Sequence, residues 1–121
     1  MLIDEKSDVH LFHSYGELLP RFMSEIAQLT GLKHDSVLLD LGSGVGNLLV
    51  QAALQTGCKA LGCEMMKIPT DLADLQLKEA RIRWAMWSLR GGEMDSWRGN
   101  FCEDPKVGKA LLEADVVLVN K

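Results

Sequence analysis

From Leu18 onward the apolar positions Leu18, Leu19, Phe22, Met23, Ile26 and Leu29 recur at helical spacing, which gives a helix one apolar side. Pro20 is tolerated in a first turn and Gly31 supplies a stop. Residues 1–14 show no comparable rhythm and are expected to form an irregular lead-in. Val37 to Leu41 is a short apolar run interrupted by Asp40 and followed by a glycine-rich turn. Leu48, Leu49, Ala52 and Ala53 then resume a helical stripe as far as Gly57, so the pattern predicts strand, loop and helix. Lys59 to Cys63 predicts a second strand that stops at Glu64. Thr70 is expected to cap a long helix carrying Asp71 and Asp74 in its first turn, near the positive end of the helix dipole, with Gly91 and Gly92 ending it. Met94 to Phe101 reads as a third strand, Glu103 to Leu112 as a short helix, and Val116 to Val119 as a fourth strand of continuous apolar residues.

Strands and helices therefore alternate, and the strands lack the in-out alternation of a half-exposed sheet. That combination predicts the doubly wound α/β class, with about four parallel strands and helices on both faces. The ligand of such a sheet sits at the carboxyl ends of its strands. No repeat or linker divides the sequence, so residues 15–121 are expected to form one domain.

Composition narrows the function. The 121 residues are 47% hydrophobic and 25% charged, as in a folded domain. The net charge of -4 and the pI near 5.3 oppose autonomous DNA binding, because phosphate contacts need clustered Lys and Arg. The mixed run Lys78 to Arg90 reads as a solvated helix face. Apolar runs are too short for a bilayer and residues 1–12 lack a secretory core, so an intracellular, membrane-free chain is expected. Cys58, Cys63 and Cys102 form no CxxC pair and are expected to be buried thiols, while His10, His13 and His34 show no ligand spacing; no metal is assigned. Trp84 and Trp87, at helical spacing, are expected to be packing residues.

Chemistry concentrates in Asp40, Leu41, Gly42, Ser43, Gly44, Val45, Gly46 and Asn47. A dinucleotide loop usually reads G-x-G-x-x-G, which lets a helix terminus meet a pyrophosphate, whereas this one reads G-x-G-x-G after an acid on the strand. The spacing favours S-adenosylmethionine, which has no phosphate, and leaves an NAD site as the alternative. Glycines admit close backbone approach; Asp40 offers a carboxylate to the cationic ammonium end, and Glu64 one to the ribose hydroxyls.

The run Asp40 to Asn47, with Gln51-Ala52-Ala53 behind it, resembles the cofactor loop of the disruptor-of-telomeric-silencing family, the non-SET histone H3 lysine-79 methyltransferases, fungal members especially. Tyr15, Gly16, Glu17 and Leu18 resemble that family's loop over bound cofactor, and Gly62-Cys63-Glu64 its ribose-holding strand end. Gly99-Asn100-Phe101 is similar to its adenine-contacting segment, although animal members carry aspartate where Asn100 stands. Val117-Leu118-Val119-Asn120 looks like the strand end whose asparagine lies near the methyl group and the entering lysine.

The resemblance implies a class I, Rossmann-like fold and methyl transfer to a lysine of histone H3 on the nucleosome, with Asn120 catalytic. It also implies a nuclear role in chromatin regulation, telomeric silencing and the DNA-damage checkpoint. It runs from Tyr15 to Asn120 and covers part of the family's catalytic domain, which usually continues with an asparagine and a phenylalanine where Lys121 stands. A fragment is therefore expected, with Val116 to Val119 at an unpaired edge. Two other readings stay open: a noncatalytic cofactor-binding or interaction module, and a small-molecule methyltransferase. The sequence is silent on oligomeric state.

Overall fold

The computed structural model describes residues 2–6, 9–14 and 20–120. Its elements are β1 (Leu2–Lys6), β2 (Val9–Ser14), α1 (Pro20–Thr30), β3 (Val37–Leu41), α2 (Asn47–Thr56), β4 (Lys59–Glu64), α3 (Lys67–Met86), β5 (Met94–Arg98), α4 (Pro105–Glu113) and β6 (Val116–Asn120). They build one six-stranded sheet in the order β1-β2-β6-β3-β4-β5.

The four expected strands β3, β4, β5 and β6 are mutually parallel, as the doubly wound class requires. Two expectations are corrected. Residues 1–14 are not an irregular lead-in: β1 and β2 pair antiparallel, and β2 pairs parallel with β6. Consequently β6 is not an edge strand; it lies between β2 and β3, with Val117 opposite both Leu11 and Leu39. That position explains its continuous apolar sequence, since a central strand is covered on both faces.

Register sorts the core into two faces. Leu38, Ala60, Met94 and Val116 are aligned across the strands and pack under Met23 and Ile26 of α1, Leu48, Leu49 and Ala52 of α2, and Leu77 and Trp84 of α3. Leu39, Leu61 and Val117 share the opposite face with Val107 and Ala110 of α4. Asp40 belongs to the first face, level with Gly62 and Leu118.

Helix ends differ from expectation in instructive ways. Thr70 does not cap α3 but lies within it, its hydroxyl donating to the Met66 carbonyl at 2.7 Å, and Met66 holds the cap position. The helix stops at Met86 rather than at the glycine pair, with Ser88 at φ 55° turning the chain away. Gly91 and Gly92 serve close packing: a β-carbon on Gly91 would strike the Trp84 ring, and one on Gly92 the Cys58 carbonyl. At α4, Asp104 accepts from the Lys106 N–H at 2.9 Å and Pro105 opens the first turn, two residues later than expected. β5 likewise ends at Arg98, short of Phe101. Of the two paired tryptophans only Trp84 is buried, and Cys102 is exposed where Cys58 and Cys63 are buried. No helix among the described residues is long and apolar enough to cross a membrane.

Candidate functional site

All parallel strands deliver their carboxyl ends to one side of the molecule, and the glycine loop leaves β3 there. Gly42, Gly44 and Gly46 have φ of 85°, 57° and 83°, the left-handed region that side chains with a β-carbon avoid. A loop of other residues would not turn this tightly into α2. Its backbone is pinned to the end of β4: the Gly42 and Ser43 N–H groups donate to the Cys63 carbonyl at 2.8 and 3.2 Å, and the Gly44 N–H donates to Glu64 Oε1 at 3.0 Å. Glu64 Oε2 accepts from the Met66 N–H at 2.8 Å. Gly62 is the floor beneath the turn, since a β-carbon there would lie 2.6 Å from Ser43 Oγ and 2.7 Å from a Leu49 methyl. The front of the loop is open: a β-carbon on Gly44 would meet no atom within 4 Å.

Beside this loop stands a buried acid. Asp40 is 1% exposed, and neither of its carboxylate oxygens has a hydrogen-bond partner among the described residues; Ser43 Oγ is equally unpartnered there. Burial, with repulsion from Glu64 as the smaller cause, pushes the Asp40 carboxyl up to about 7. Buried polar atoms left without partners cost about 1–3 kcal/mol each, a cost that a hydrogen-bond donor placed beside them would relieve. Strand register and the bond from Gly44 to Glu64 put the two acids at the same end of the sheet.

The third strand end closes the other flank. The Gly99 N–H donates to the Glu64 carbonyl at 2.9 Å, and Cys63 Sγ donates to the Gly99 carbonyl at 3.4 Å. Burial, reinforced by Asp104 and Glu64, pushes that thiol up to about 11, so Cys63 is a protonated packing group and not a nucleophile. Asn100 Oδ1 accepts from the Cys102 N–H at 3.0 Å, which commits the amide to a local turn. Phe101 is half-buried against the α4-side cluster with Trp97 and Val119.

The structure thus brings Asp40, the loop Leu41 to Gly46, Glu64 and the segment Gly99 to Phe101 together. Asn47 opens α2, but its Oδ1 accepts from Gln76 Nε2 of α3 at 2.6 Å, so its side chain steadies the helix pair. Asn120 closes β6 opposite Ser14. Tyr15, Gly16, Glu17 and Leu18 lie outside the described residues, as does the Asn120 side chain. The Met66 and Gly99 N–H groups, which fasten the end of β4, were not foreseen; backbone donors leave no residue-type signal. Elsewhere, a cavity of about 460 Å³ lined by Lys59, Leu61, Trp97 and Ala110 opens between β5 and α4, toward the amino ends of β4 and β5. Among the described residues no group of His, Cys, Asp and Glu is arranged to hold a metal ion.

Comparison with known proteins bears on this site. Residues 9–121 match the family model described as histone methylation protein DOT1. A histone-lysine N-methyltransferase, H3 lysine-79 specific, of Mycosarcoma maydis is 62% identical over 107 residues, covering 88% of this chain and 13% of the relative. The correspondingly named protein of Emericella nidulans is 50% identical over 106 residues, covering 88% of this chain and 21% of its own length. The chain therefore spans between an eighth and about a fifth of these relatives. Among solved structures, an RNA methyltransferase from Salinibacter ruber in complex with S-adenosyl-L-homocysteine superposes with a TM-score of 0.67 at 24% identity, covering 86% of this chain and 60% of that one. A SAM-dependent methyltransferase from Geobacter sulfurreducens gives 0.54 at 23% identity, covering 69% and 30%. These structural likenesses establish the class I methyltransferase fold, and the extent of the sequence match establishes more: the chain belongs to the histone methylation protein DOT1 family.

Proposed function

We propose that this chain binds S-adenosylmethionine and forms the donor-binding part of a histone H3 lysine-79 methyltransferase that acts on nucleosomes in the nucleus. The observation that carries the reading is the contrast at the loop: Glu64 fastens an open-fronted glycine turn, while Asp40 and Ser43 hold buried polar atoms with no protein partner. A cationic amino-acid end satisfies the buried carboxylate, and ribose hydroxyls find remaining lone pairs on Glu64, whose two oxygens each accept one backbone bond from the described residues. The donor, when bound, supplies a methyl group activated by a sulfonium cation. Fold alone does not choose the acceptor, since an RNA methyltransferase shares it; family membership favours histone lysine.

Lysine with a pKa near 10.4 is neutral in about one molecule in two thousand at pH 7, so the site must favour the neutral amine by desolvation. The chain's own contribution is positioning. The loop from Leu41 to Asn47 and Glu64 fix the donor; Asn100 and Phe101 flank the base; Asn120, at the end of the central strand, orients the amine; and Tyr15, Gly16, Glu17 and Leu18 cover the donor. No general base is needed once the amine is neutral.

Calorimetric titration with S-adenosylmethionine, followed by mass measurement of nucleosomal histone H3 after incubation, tests both halves. Donor binding with a methyl added to H3 is expected. Binding without methylation would restrict the chain to donor capture; absence of binding would remove the proposal. Gly44→Val is expected to abolish binding, because a branched side chain is strained at φ 57° and fills the open front of the turn.

A further inference from the structure

Helix α3 is turned the wrong way round for a surface helix. Its inward stripe consists of Thr70, Ala73, Leu77, Ala80 and Trp84, mostly small residues. The larger aliphatic side chains, Ile68, Leu72, Leu75, Ile82 and Met86, face outward and are 48–74% exposed. With Glu79 they recur at alternating steps of four and three along the 20-residue helix, the spacing of a coiled-coil seam. Among the described residues nothing packs on this face, and an apolar strip of this length, interrupted by Glu79 alone, marks an interaction surface.

We infer that the outward face of α3 is a self-association surface, pairing antiparallel with α3 of a second copy of this chain. Size permits it: five such side chains from each copy, at roughly 100 Å² apiece, remove on the order of 1,000 Å² of apolar surface, about the area a specific interface needs. Charge selects the direction. A parallel pair would set Glu79 against its own counterpart inside the seam and Lys78 against the partner's Arg83. An antiparallel pair of greatest overlap sets Ile68 against the partner's Met86, Leu72 against the partner's Ile82, and Glu79 against the partner's Leu75; its like-charge approach is one, Lys78 against the partner's Lys78 beside the seam, where the parallel pair has three. Each Glu79 then keeps its Arg83 partner on its own helix, at 2.7 Å. The surface lies on the far side of α3 from the sheet and is independent of the methyl-transfer reading.

Sedimentation of the full chain across the micromolar range should show a monomer-dimer equilibrium. Leu75→Glu and Ile82→Glu keep a good helix former at each position, so the circular dichroism should be retained while the dimer weakens by about 30-fold or more, a hot-spot loss. Glu79→Leu, which takes a carboxylate out of the seam, should tighten the dimer about tenfold, a single-charge effect. Asp74→Lys, exposed but off the stripe, should change nothing. Direction is read by oxidation in a Cys102→Ser background: Leu72→Cys with Ile82→Cys should give a covalent dimer, and either substitution alone should not. A monomer at every concentration, a polydisperse aggregate, or a dimer indifferent to Leu75→Glu overturns the proposal. So does crosslinking by the single cysteines.

Discussion

The two strands that flank the glycine loop, β3 and β4, each carry a carboxylate at or beside their carboxyl ends, and the two carboxylates are opposites. Glu64 is half-exposed and both of its oxygens accept backbone N–H groups, one from the loop and one from the start of α3. Asp40 is buried and neither of its oxygens is met. The same chemical group thus does two different jobs on adjacent strands. Glu64 fastens the loop, whereas Asp40 is held in a costly setting that the proposed donor would relieve. Sheet geometry produces the difference: Asp40 lies one residue before the end of β3, level with Leu118 under the helices, whereas Glu64 is the last residue of its strand and reaches past the sheet.

The contrast can be broken from the Glu64 side first. Glu64→Ala removes the acceptor of two backbone donors and the proposed ribose ligand, and should weaken S-adenosylmethionine binding by about 1.5–3 kcal/mol, roughly 10- to 150-fold by calorimetry. Next, Gly62→Ala places a methyl group against Ser43 and Leu49; overpacking of about 1–3 kcal/mol should appear as a lowered denaturation midpoint, without any ligand present.

Asp40 gives the third prediction through pH. Its carboxyl titrates near 3.8 when unfolded and at about 7 when folded, so between those values the folded chain binds more protons than the unfolded one. Stability should therefore fall as pH rises through that window and level off above it. Urea midpoints at pH 5 and pH 8 check the sign, and Asp40→Asn should erase this contribution. If an ammonium group settles on the ionised acid, donor binding at pH 6 should also release a proton, measurable by calorimetry in two buffers. The smallest effect concerns coupling. Burial is the larger cause of the shift and Glu64 the lesser, so Glu64→Gln should narrow the pH window but not close it. A window that vanished in that variant would mean that repulsion, not burial, governs Asp40.

Much of this arrangement was legible because the relevant signals are local. The steps from Val37 to Glu64 follow from apolar runs, glycine spacing and strand-terminal acids, and β3, α2 and β4 formed within a residue of expectation. What was not legible depends on distant partners. Nothing in Leu2–Lys6 or Val9–Ser14 announces a strand by itself; β2 exists by pairing with a strand about a hundred residues later. The glycine pair at 91 and 92 looked like a helix stop because the Trp84 ring and the Cys58 carbonyl that require it come from other segments. The burial of Asp40 without a partner is likewise invisible in sequence, since an acid at a strand end reads the same whether it is wet or dry.

The place of β6 between β2 and β3 has a temporal consequence. Chains are made from the amino end, and here the strand that joins β2 to β3 is synthesised after both of them and after β4 and β5. Until it arrives, β2 and β3 each present an open row of backbone donors and acceptors, so joining them depends on long-range contacts, which form slowly. A nascent chain of this kind is at its stickiest just before β6 slides into the gap.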